Sequence, residues 1–211
     1  MNAQHQERSN SEVSRLEELF GMTVEQLQDV IMDGVHARTK GTPHHPKTYP
    51  GYAQWAETVR ALRDKAVPLG WAPTDENNFP LCVHDERGIS IAVQTGDKET
   101  GTTGVPSNRA PKGASTEDAV AVNQRQLSLF DSFPELPDQV DDVQHIMWIL
   151  LYHVAPNEVR FELSLPLKMV GGKIRSWQER IIFPAIPLNG TQINFGDDDG
   201  PEFDVSVERK G

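Results

Sequence analysis

Val159-Arg-Phe-Glu-Leu-Ser-Leu165 alternates apolar and polar side chains without a break. An extended chain turns successive residues to opposite faces, so this stretch is an amphipathic β-strand. The residues before it, Ile146 to Val154, form an apolar run that ends at Ala155-Pro-Asn-Glu158, a turn. After it, Gly171-Gly172 makes a second turn. Trp177, Glu179, Ile181 and Phe183 then alternate with Gln178, Arg180 and Ile182 in a third strand. The C-terminal third therefore predicts an antiparallel β-meander. It would be completed by a short strand Phe203-Val205-Val207 behind the acidic loop Asp197-Asp198-Asp199.

Further toward the N-terminus, Leu81 and Val83 alternate with Cys82 and His84, and Ile89, Ile91 and Val93 with Ser90, Ala92 and Gln94. Asp85-Glu-Arg-Gly88 between them predicts a hairpin turn. Before residue 70 the period changes to that of a helix. Val13, Leu16, Leu19 and Phe20 share one face and Gly21 closes it. Thr23 and Gln26 have capping-box spacing ahead of the stripe Leu27, Val30, Ile31 and Val35. Two prolines make Gly41-Thr-Pro-His-His-Pro46 irregular, and a third helix follows from about Tyr52 to Lys65, with Trp55, Val59, Leu62 and Ala66 on one face. Helices on the N-terminal side and antiparallel strands in hairpins make an α+β fold.

From Thr95 to Gln126 the composition shifts to Gly, Pro, Ser, Thr, Asn and Lys, with almost nothing large and apolar before Val120. A second, acidic stretch with Pro134 and Pro137 runs from Asp131 to Asp142. The organisation read from this is a helical region plus hairpin over 1–94, a flexible linker over 95–142 with one helical turn after Ser115-Thr116, and an antiparallel β region over 143–211. The outer two are compatible with a common core.

The chain has 211 residues, 20 Lys+Arg against 31 Asp+Glu, and a formal charge of −11. Such a field opposes broad, non-specific binding to nucleic acid. No apolar run reaches the ~18–20 residues that span a bilayer. The polar start, Met1 to Asn10, does not read as a secretory signal. Cys82 is the single cysteine, which rules out an intramolecular disulfide and a cysteine-rich zinc cluster. These features predict a cytoplasmic protein.

One short peptide is specific. Gln126-Leu127-Ser128-Leu129-Phe130 resembles the peptide by which bacterial proteins bind the DNA polymerase sliding clamp: a leading Gln, a small or acidic third residue, then Leu and Phe. The resemblance covers these five residues and no more. It implies a sliding-clamp partner, with Leu129 and Phe130 entering an apolar pocket, Leu127 adding a smaller contact and Gln126 hydrogen-bonding at the rim. It also implies a service to replication, repair or a mobile element's control of the host replisome. Burying a Leu and a Phe is worth about 1.5–3 kcal/mol each, which after ordering costs leaves a micromolar or tighter complex. The bland alternative is that Leu127, Leu129 and Phe130 tuck onto the core.

Other groupings are weaker. His44, His45, Cys82 and His84 are the soft metal ligands, and a small metal-dependent enzyme using His44, His45 and His84 is an alternative reading. Gly96-Asp-Lys-Glu-Thr-Gly101 follows a strand as a phosphate loop would, but Thr102 stands where that loop needs Lys. No catalytic set and no cofactor is predicted. Arg38, Lys40, Lys47, Arg60 and Arg63, facing only Glu57 and Asp64, outline a candidate DNA-contacting face within residues 36–65.

Overall fold

A computed structural model describes residues 13–132 and 145–188. The tail 1–10, the acidic stretch beyond residue 132 and the strand at 203–207 lie outside the described residues. Within them the fold is α+β. A helix over residues 13–20 (α1) is followed by α2 (Val24–Thr39) and α3 (Tyr49–Ala66). Then come strands β1 (Ala72–Thr74), β2 (Leu81–His84) and β3 (Ile89–Thr95), helix α4 (Ala114–Ser132), and strands β4 (Ile146–Val154), β5 (Glu158–Val170), β6 (Lys173–Ile182) and β7 (Ile186–Pro187).

The strands form one seven-stranded sheet in the order β1-β2-β3-β4-β5-β6, with β7 beside β5. Every pairing is antiparallel except β3 with β4, where Ile89 to Thr95 run parallel to Ile146 to Tyr152. The hairpin and the meander read from the sequence are therefore halves of one sheet, joined at its centre. A parallel pair needs a crossover, and α4 supplies it. The stretch expected to be a flexible linker is instead, through residue 132, a hydrogen-bonded loop and a helix packed on the sheet.

Each face of the sheet has its own cover. Ile89, Ile91 and Val93 of β3, Trp148, Leu150 and Tyr152 of β4, and Phe161, Leu163 and Leu165 of β5 point to the face that α1, α2 and α3 close with Leu16, Phe20, Leu27, Ile31 and Leu62. Phe20 lies edge-on to Trp148 at 5.2 Å between ring centroids. This larger core draws on both sequence regions, 13–94 and 145–188. The opposite face carries Ala92, Met147, Ile149, Leu151 and Ile174 under Val120 of α4.

Local chemistry explains the helix ends. Thr23 and Gln26 form the reciprocal capping box their spacing predicts. α3 begins at Tyr49 rather than Tyr52, because Pro50 sits in its first turn, where a missing N–H costs nothing. α2 and α3 approach closely at Gly34, where a Cβ would overlap the Thr58 hydroxyl and lie 2.9 Å from the Gln54 carbonyl. In β2 the inward residues are Cys82 and His84, not Leu81 and Val83: both are buried, and His84 lies edge-on to Trp71.

Candidate partner-binding helix and its surroundings

Four positions at helical spacing seat α4: Thr116, Val120 and Asn123 are buried, and half-buried Leu127 packs against the larger core. Only one of the three buried residues is apolar. Hydrogen bonds add to the contacts of Val120, Ala119 and Leu127. Glu117 accepts from the Gly172 N–H at 2.9 Å, in the β5–β6 turn. Asn123, 0% exposed, donates to the Met147 and Pro166 carbonyls at 2.8 and 3.1 Å and accepts from the Met147 N–H at 2.8 Å. A shallow groove of about 290 Å³ between Gln124 of α4 and Val170 at the end of β5 flanks it.

The clamp-like peptide forms the C-terminal part of this helix. The backbone from Gln126 to Phe130 is helical, not extended. Gln126 is half-buried, and Ser128 is exposed with its hydroxyl donating back to the Arg125 carbonyl at 2.8 Å.

The loop from Gly96 to Gly113 is held as firmly as the helix. Glu162, buried on β5, receives both arms of Arg180 from β6, Nε at 2.9 Å and Nη2 at 2.6 Å. The Ser164 hydroxyl and the Gly101 N–H complete its shell at 2.7 and 2.8 Å. Arg180 reaches on to the Thr102 and Gly104 carbonyls. Asp97 accepts from the Glu99 and Ser107 amides, and Asn108 ties the loop's far end to Gly172 and Ile174. Gly101 fits because no side chain could: its φ is +69°, and a Cβ would lie 2.8 Å from that of Arg160. The segment shaped like a phosphate loop thus gives its Gly101 amide to the chain's own carboxylate. Beside it, His153 Nδ1 lies 3.3 Å from the Gly96 carbonyl. Burial first, then the Arg160 and Arg109 charges, hold the imidazole below its usual pKa.

The metal candidates do not converge. His44 and His45 are exposed in the α2–α3 loop, where the His45 ring stacks on Tyr49 and its Nδ1 accepts from the Thr42 amide at 3.0 Å. Cys82 lies in the larger core, and burial pushes its thiol up to about 11, away from the thiolate a metal needs. Among the described residues no three His, Cys, Asp or Glu side chains come together to hold a metal ion.

The basic candidates divide. Arg38 is only 3% exposed and donates to Gln54 Oε1 at 3.2 Å. Arg60 pairs with Asp33, Glu57 and Asp64, and Arg63 with Asp75 at 2.7 Å. These three serve the fold. Lys40 and Lys47 stay exposed.

Asn123 escaped the sequence reading, and so did the structural role of Arg38. Asn123 sits three and four residues from Val120 and Leu127, so a helical wheel would have placed it inside. Arg38 likewise continues the stripe of Val30, Gly34 and Val35. Among the described residues no helix is long and apolar enough to cross a membrane. No family model, curated protein or solved structure matches this chain.

Proposed function

We propose that the chain is a non-enzymatic accessory protein of bacterial or phage/plasmid DNA metabolism, working in the cytoplasm and tethered to the sliding clamp through Gln126 to Phe130. The observation that carries the reading is the five-position match of this peptide, located C-terminal to Asn123, whose amide pins α4 to the sheet. Docking in extended form requires the turns after Asn123 to unwind and Leu127 to leave the larger core. So short a helical segment has little stability of its own, and the contacts of Val120 and Asn123 stay in place.

The test is titration of the full-length protein against a bacterial sliding clamp, beside Leu129→Ala/Phe130→Ala. The reading requires a dissociation constant near micromolar, about −8 kcal/mol, lost in a variant that melts like the parent. A well-folded parent that does not bind removes it.

The contact of Leu127 with the larger core favours a second reading, a structural or partner-binding α+β protein whose peptide is part of the fold. Absence of clamp binding, with a melting point lowered by the double variant, is the outcome that reading requires.

A further inference from the structure

Between Asp33 and Glu57 the chain has no acidic residue, although 31 of its 211 residues are Asp or Glu. This acid-free stretch covers the end of α2, the loop and the start of α3. Residues 39–48 are all exposed. They present Lys40, His44, His45 and Lys47, with exposed His36 beside them on α2. Lys40 and Lys47 make no ion pair among the described residues. The acids that bracket the stretch, Asp33 and Glu57, are both taken up by Arg60.

Aromatic rings stand within the same corner. Tyr52 is 43% exposed, one of the few large apolar side chains left so open among the described residues, and its ring lies 6.0 Å from Trp55. The His45 ring stacks on Tyr49 at 3.9 Å. Because His45 Nδ1 accepts from the Thr42 amide, the ring proton of the neutral imidazole sits on Nε2, a second donor on this surface.

We infer that this corner is a binding surface for single-stranded nucleic acid. Lys40 and Lys47 take backbone phosphates, and Tyr52 offers its face to an unpaired base. A single strand fits better than a duplex, whose bases are already stacked and whose phosphates call for a broader cationic face than two lysines. The inference does not depend on the clamp reading, because it uses other residues on the opposite side of the sheet from α4.

The experiment is fluorescence anisotropy of a labelled oligothymidylate titrated with the full-length protein at low salt. Lys40→Glu/Lys47→Glu and Tyr52→Ala are measured in parallel, and each melting point is checked. Binding should weaken with salt with a log–log slope of about −1.4, two phosphates at about −0.7 each. The lysine variant should lose at least about tenfold and Tyr52→Ala about five- to 150-fold, the range expected for one stacked base. No binding by the parent, or equal binding by the folded lysine variant, overturns the inference. Tighter binding of a duplex of the same length overturns the choice of a single strand.

Discussion

The side-chain amide of Asn123 takes the place of a strand beside Met147. Pairing of β4 with β5 runs from Val154↔Val159 to Ile149↔Ser164. Two residues further, the same register sets Met147 opposite Pro166, which has no N–H to give. Asn123 restores both missing bonds to Met147 and takes the Pro166 carbonyl as well. A helix thus repairs the sheet at the point where a proline interrupts it. Asn123→Leu keeps the branching at Cγ and strands three buried backbone groups. Each costs about 1–3 kcal/mol when unpaired, so urea denaturation should show a loss of about 3 kcal/mol or more. A loss under about 1 kcal/mol, the net worth of one ordinary hydrogen bond, would mean that α4 is not held this way.

Glu162 and Arg180 predict a different pattern. Removing one member of a buried pair leaves a lone charge and costs about 3–5 kcal/mol, whereas replacing both with apolar residues is far milder. Arg180→Met should also release the Thr102 and Gly104 carbonyls. Limited trypsinolysis at Lys98 and Arg109 should therefore speed up in Arg180→Met. In denaturant, Glu162→Leu/Arg180→Met should be more stable than either single variant.

Gly34 tests the helix crossing. Alanine is normally the better helix former by about 1 kcal/mol. At this crossing its methyl meets Thr58 and Gln54, and overpacking costs about 1–3 kcal/mol. Gly34→Ala should lower the melting temperature, and Thr58→Ala in the same chain should recover part of the loss. A rise in melting temperature would show that α2 and α3 can separate at no cost.

His153 gives the fold a pH dependence. Its folded-state pKa lies below the ordinary value of about 6.5. As pH falls through that value, the unfolded chain takes up a proton that the folded chain refuses, so acid favours unfolding. The stability present above about pH 7 is lost progressively toward the folded-state pKa. His153→Gln should flatten this part of the curve, read as urea midpoints at about pH 5.5 and about pH 7.5. An unchanged slope would place the responsible group elsewhere.

The elements written plainly in the sequence are those whose inward positions are apolar. Val159 to Leu165 and Ile89 to Val93 alternate, and α2 carries Leu27, Val30, Ile31 and Val35. α4 was hidden because its buried stripe includes Thr116 and Asn123, residues that look like loop and act as anchors. The parallel contact of β3 with β4 is non-local and leaves no local pattern. At the candidate sites the same rule holds. Lys40 and Lys47 were legible as exposed cations, while Arg38, Arg60 and Arg63 were not legible as structural, since their partners come from α3, α2 and the β1 region.

The parallel pair also governs how the chain can be made. Ile89 to Gln94 of β3 are all buried, yet one side of that strand is closed only by β4, more than fifty residues later. During synthesis the first ninety-odd residues must wait with a bare, apolar strand edge, the kind of template that recruits other chains. Closing so long a loop is slow compared with forming the hairpins on either side. Neither half is therefore a self-sufficient fragment. A chain truncated before residue 146 should accumulate as aggregate rather than as a small folded domain.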